Sequence, residues 1–229
     1  SMIPGGGADV MHVEGEVTVN GEEVMDRVKR ERDRFVGFVL EGVENIPAED
    51  KIRGYARFES DTVLRVDDHT EIHASRVVIA TGSRPSVPPP FRGLGDRLVL
   101  NDDVFAWDDL PRRVAVFGPG VIGLELGQAL ARLGVEVRVF GVSGSLGGIS
   151  DPQVRHSARK IFQQEFYLDP DARVLETQRV GDEVEVRYVA LDNTERTERF
   201  DYALVATGRR PNVDGLGLAN TSLQLHAQG

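Results

Sequence analysis

At 229 residues the chain can build one large core or two modest ones, and its formal net charge of −10 makes polyanions poor partners. Its basic residues are interleaved with more numerous acids, as in Lys29, Arg30, Glu31, Arg32, Asp33 and Arg34, which argues against the clustered basic surface that nucleic acid requires. The absence of cysteine rules out dithiol exchange by this chain, because that chemistry needs a thiolate, and no apolar run approaches a membrane span.

Residues 1–17 read as a leader. Ser1 and Met2 look like a tag remnant, and Gly5, Gly6 and Gly7 have no strand before them and no helix after. A helix is predicted from Asn20, with Asn20 as cap, Glu23 three residues on, and Val24, Val28, Phe35, Val39 and Val43 along one side as far as Pro47. That apolar side must fold onto the body, pair with another chain or stay exposed, and self-association through it is expected. Strands are predicted over 52–57, 62–66 and 71–80. The last of these ends in an apolar run, 77–80, expected to be buried, followed by Thr81, Gly82, Ser83, Arg84 and Pro85. Residues 203–206 lead in the same way into Thr207, Gly208, Arg209, Arg210 and Pro211. The prolines of 85–90 read as a linker, with a boundary near residue 110.

Between the two copies of this phrase lies Gly118, Pro119, Gly120, Val121, Ile122, Gly123. A GxGxxG pattern means little alone; it gains meaning when a strand precedes it and a helix follows. Residues 113–117 form a short apolar run suited to a strand buried on both faces. Val121, Ile122, Leu124, Leu126, Ala129, Leu130 and Leu133 then fall at helical spacing, Gly134 closes the helix, and 135–140 reads as a second strand. The first glycine permits a tight turn, the second lets backbone approach a phosphate, and the third lets the helix lie close to the strand. Dinucleotide binding is the chemistry implied, and the fixed dihedral of Pro119 suits the turn. Beyond it, Asp151 and Pro152 begin a helix to about Gln164, and 172–179, 184–190 and 200–206 alternate like strands. His12, His69, His73, His156 and His226 are dispersed without metal-ligand spacing, so no metal site is expected.

The run from Gly118 to Gly127 (G-P-G-V-I-G-L-E-L-G) and the phrase V-A-T-G-R-R-P-N at 205–212 resemble the pyridine nucleotide-disulfide oxidoreductases, in wording nearest to the dihydrolipoamide dehydrogenases. The resemblance runs from about Thr18 onward. It implies an α/β fold: a Rossmann-like, three-layer nicotinamide-binding domain with an antiparallel β-meander, beside a partial FAD-domain segment. The implied division is 18–110 for the partial FAD-binding domain, 111–208 for the NAD(P)-binding domain and 209–229 for a return toward the FAD domain. The family's flavin fingerprint, redox cysteines and dimerisation domain are absent from this sequence, so a truncated chain or fragment is expected, with the missing halves of the parent as partners.

The resemblance carries site residues with it. Gly118, Pro119, Gly120, Val121, Ile122, Gly123, Gly141, Val142, Ser143 and Gly208 match positions that hold NAD(P). Tyr55, Ala56, Thr81 and Gly82 match positions that hold FAD in the parent, a cofactor not expected on this chain alone. Glu125 matches a glutamate beside the nicotinamide that pairs with a flavin-domain lysine. Gly141 stands where NAD-using members carry glutamate, and Val142 where NADP-using members carry arginine, with Arg155 and Arg159 a helix turn or more away. The reading leans to NAD and leaves NADP open. The parent is expected to be a cytoplasmic flavoprotein that passes hydride between nicotinamide and flavin, with a standalone, non-catalytic NAD(H)-binding or regulatory module as the alternative.

Overall fold

The computed structural model describes residues 18–226; the expected leader, with Gly5, Gly6, Gly7 and His12, and residues 227–229 lie outside the described residues. Helix α1 (Gly21–Glu44) starts where the sequence predicts, capped by Asn20. The Asn20 Oδ1 accepts from the Glu23 amide at 3.2 Å, while its Nδ2 donates to Glu23 Oε1 at 3.1 Å, so one orphan amide of the first turn is satisfied. The first half of the helix is anchored. Met25 is buried, Lys29 Nζ lies 2.8 Å from Asp108, and Arg32 donates to the Phe105 carbonyl at 2.9 Å. Along the second half Phe35, Phe38, Val39, Leu40 and Val43 remain exposed in the single chain.

Three short strands, β1 (Ala56–Phe58), β2 (Val63–Val66) and β3 (Thr70–His73), form an antiparallel meander. The structure departs from the sequence reading here. The strand expected over 52–57 begins only at Ala56, and the one expected over 71–80 ends at His73. Residues 77–80, expected as a buried strand, form no ladder, and Val78 is 88% exposed. An apolar run becomes a strand only beside a partner, and no strand lies along it among the described residues.

Strand β4 (Ser83–Pro85) leads into a 3₁₀ stretch, Pro89–Arg97, and then to β5 (Leu98–Val99). Next come β6 (Arg113–Phe117), α2 (Val121–Arg132), β7 (Glu136–Phe140), α3 (Pro152–Glu165) and β8 (Tyr167–Asp169). An antiparallel meander follows, β9 (Arg173–Val180), β10 (Glu183–Val189) and β11 (Glu195–Phe200), before β12 (Tyr202–Val205) and β13 (Arg209–Pro211). Five strands make an all-parallel sheet in the order β5, β12, β6, β7, β8. This sheet therefore draws on Leu98 and Val99, ahead of residue 111. Strand β13 pairs antiparallel with β4, so the two similar phrases of the sequence lie side by side, Arg84 opposite Arg210.

Strand period sorts the core into three layers. Val114 and Val116 of β6 point to the helical side, where Leu124, Leu130 and Leu168 join them. Ala115 and Phe117 point to the other side, against Val184, Val186, Tyr188 and Phe200 of the meander. Each fully buried large side chain stabilises the fold by about 1.5–3 kcal/mol. The result is the α/β, Rossmann-like, three-layer arrangement that the sequence predicts.

A part-buried charged network lies between sheet and meander. Glu198 of β11 accepts from the Tyr188 hydroxyl and from Arg113, and Arg138 Nε approaches it at 3.4 Å. Arg113 also lies 4.9 Å over the Phe200 ring, and Arg138 5.2 Å over that of Tyr167. Burial, and then the hydrogen bond to Glu198, push the Tyr188 phenol above its ordinary range. Burial alone would raise the Glu198 carboxyl, yet the Tyr188 hydroxyl and the two guanidinium groups hold it below the usual carboxylate range.

Candidate functional site

From β6 the chain passes through α2 to β7 on one side, whereas β12 occupies the other side of β6. Connections that depart in opposite directions leave a crevice beyond the carboxyl ends of the strands, the place where open α/β sheets bind ligands. A cleft of about 850 Å³ opens there. Its lining includes Phe117, Phe140 and Val205, the last residues of β6, β7 and β12, together with residues 118–122 and Gly208.

The three fingerprint glycines have three different physical tasks. Gly118 has φ +106°, and a Cβ on it would lie 2.4 Å from the Ala206 carbonyl oxygen, because the exits of β6 and β12 press together there. Gly123 faces inward: its Cβ would lie 2.0 Å from the Gly118 carbonyl oxygen, so only glycine lets the helix start this close to the strand. At Gly120 a Cβ would meet nothing within 4 Å. Gly120 is also the N-cap of α2 and gives no side-chain cap. The first helical bond runs from the Leu124 amide to the Gly120 carbonyl at 3.0 Å, which leaves the amides of Val121, Ile122 and Gly123 without helical acceptors. Uncapped amides and the positive end of the helix dipole thus meet at the fingerprint glycine with open space, a ready anion site. Gly118→Ala is expected to lower stability by about 2 kcal/mol through overpacking and a disfavoured φ, measured as a lower urea midpoint at unchanged m.

Gly141 and Val142 also line the cleft, while Ser143 stands beside it with φ +60°. Glu125 is exposed on α2, one turn beyond the lining residue Val121, and lies outside the cleft wall. Arg155 and Arg159 of α3 do not line it either. The sequence did not single out the opposite wall, to which Phe91, Asn101, Ala172, Val174 and Thr177 contribute. The alternation of 172–179 signalled a strand there, but nothing local says which end of that strand reaches the fingerprint. Phe91 packs 4.6 Å from Phe117, and Phe117 stacks 5.5 Å from Phe140, giving this wall an aromatic floor. Among the described residues no group of three His, Asp or Glu side chains converges to hold a metal.

The sequence pattern of the pyridine nucleotide-disulphide oxidoreductases matches residues 8–229. The chain belongs to that family. The dihydrolipoyl dehydrogenase of Cupriavidus necator is 31% identical over 224 residues, covering 94% of this chain and 46% of that protein. Dihydrolipoyl dehydrogenase 3 of Pseudomonas aeruginosa is 30% identical over 223 residues, covering 93% of this chain and 48% of that protein. In fold the chain is similar to the HOCl-induced flavoprotein disulfide reductase RclA of Escherichia coli, with a TM-score of 0.73 at 23% identity over 89% of this chain and 47% of that one. The chain spans about half the length of the curated relatives it matches.

In this member of the pyridine nucleotide-disulphide oxidoreductases the four residues expected at FAD lie outside the cleft wall. The Tyr55 amide donates to Asp67 Oδ1 at 3.1 Å beside β1, and the Tyr55 side chain is 89% exposed. Thr81 and Gly82 instead lead into β4, where the Thr81 hydroxyl donates to the Asn212 carbonyl at 2.7 Å and the Asn212 amide donates to that of Gly82 at 2.9 Å. Ala56 opens β1, whereas Tyr55, Thr81 and Gly82 lie outside any strand.

Proposed function

We propose that the chain supplies the nicotinamide dinucleotide platform of an FAD-dependent oxidoreductase of the dihydrolipoamide dehydrogenase type. The observation that carries this reading is the uncapped start of α2, opened by Gly120 at the carboxyl ends of β6, β7 and β12. The amides of Val121, Ile122 and Gly123 hold the pyrophosphate by charge-assisted hydrogen bonds. Gly141, Val142 and Ser143 border the adenosine end. Gly208, on the far side of β6, borders the nicotinamide end. When bound, the nicotinamide supplies the ring carbon that gives or takes a hydride. Glu125 is placed by this reading next to that path, as a fixed charge that awaits a lysine of the flavin half. Residues 18–85 and 209–229 then belong with that flavin half, and the nucleotide-binding unit between them starts ahead of the expected boundary at 111, since Leu98 and Val99 pair into its sheet.

Calorimetric titration with NADH tests the platform directly. Saturable binding at one site, displaced by ADP-ribose, which shares the pyrophosphate, is the expected result. Heat that stays at the dilution value up to millimolar nucleotide would reject it.

A further inference from the structure

In dinucleotide folds the end of the second strand selects the cofactor: a carboxylate there bonds the adenosine 2′-hydroxyl, and an arginine takes a 2′-phosphate. In this chain that position is filled by backbone. A Cβ on Gly141 would lie 2.5 Å from the Pro119 ring and 2.6 Å from the Pro170 carbonyl. The Gly141 amide donates to the Asp169 carbonyl at 2.8 Å, and its own carbonyl accepts from the Ala172 amide at 2.9 Å. The strand end is thus fastened to the end of β8 and the turn after it and pressed against the fingerprint turn, so a glutamate cannot enter without moving both turns. Next in line, Val142 is 74% exposed and carries no charge. Among the described residues only Glu176 and Arg209 bring charge to the cleft wall, and both are engaged by other side chains. Glu176 pairs with Arg187 at 3.4 Å, while Arg209 donates to Ser83 Oγ at 2.8 Å and Asn101 Oδ1 at 3.2 Å.

Building on the dinucleotide reading above, we infer that this cleft takes NAD(H) and NADP(H) without preference, because Gly141 excludes the acid that would favour one and Val142 omits the base that would favour the other. The 2′-substituent then stays in solvent, where the protein's overall negative charge is screened within about 8 Å at physiological salt.

The test is calorimetric titration of the 229-residue chain with NADH and with NADPH at physiological salt, repeated on Val142→Arg. The expected result is dissociation constants within about threefold of each other for the wild-type chain, and a preference of about tenfold for NADPH once the introduced guanidinium can pair with the phosphate. Wild-type binding of both nucleotides with a preference of about tenfold or more either way overturns the inference and leaves the dinucleotide platform standing. Equal affinities in Val142→Arg overturn it too, since the 2′ position would then lie elsewhere. If neither nucleotide binds, the platform itself is rejected and this inference goes with it.

Discussion

Gly120→Asp is expected to abolish dinucleotide binding while leaving the fold as stable as before or slightly more so. Space is not the obstacle, since a Cβ at Gly120 meets nothing within 4 Å. Aspartate is a better N-cap than glycine, and a carboxylate at the positive end of a helix is favourable. Together these effects offer a few tenths to about 1 kcal/mol. The new carboxylate would accept from the amides of the first turn, which are the groups a pyrophosphate needs, and its charge would repel the phosphates. Affinity for NADH should fall roughly 100-fold or more, the loss of one or two charge-assisted hydrogen bonds plus that repulsion. Differential scanning calorimetry and titration on the same sample read the two effects with opposite signs. A variant that binds NADH as the wild-type chain does would show that the phosphates sit somewhere other than the start of α2.

Glu198→Ala is expected to cost about 2 kcal/mol, because it strips the shared acceptor from Tyr188, Arg113 and Arg138 at once and leaves the two guanidinium groups with Glu136 as their remaining carboxylate. Urea unfolding would show the loss as a lower midpoint. Glu198→Gln, which keeps a carbonyl acceptor, should lose less. The pH dependence follows from the direction of the shift. The folded carboxyl is held below its ordinary value, so its contribution is fully present above the unfolded pKa of about 4.3 and is lost as pH falls through the lower folded value. The stability gap between wild type and Glu198→Gln should therefore narrow on acidification below about pH 4, and a gap independent of pH would contradict the pairing.

The parts of this fold that were legible in the sequence are those whose cause is local. Asn20 with Glu23, Asp151 with Pro152, and Gly134 each mark a helix end through the hydrogen bonds or dihedral they supply, and α1, α2 and α3 begin or end there. The fingerprint could be read for the same reason, since turn, open backbone and close packing are written into residues 118–123. Strand β11 could not. Five of its six residues, Glu195, Arg196, Thr197, Glu198 and Arg199, are polar, and it is a strand because β10 lies alongside. Its cross-strand ion pairs, Arg199 with Glu185 at 3.3 Å and Arg187 with Glu195 at 3.0 Å, belong to the pairing and not to any window of sequence. The error at 77–80 is the converse, an apolar run that looks like a strand and finds no neighbour among the described residues. Tertiary context also hid the steric role of Gly141, which becomes visible only when Pro119 and Pro170 are seen on either side of it.

The pairing of β4 with β13 sets the two ends of everything between them roughly 5 Å apart. A unit whose entry and exit are neighbours can be excised or exchanged as a cassette without stretching the polypeptide on either flank. The stretch from Ser86 to Gly208 can thus be replaced wholesale with its flanks in place, provided the incoming stretch supplies partners for Lys29 and Arg32, which here hold α1 to Asp108 and to the Phe105 carbonyl.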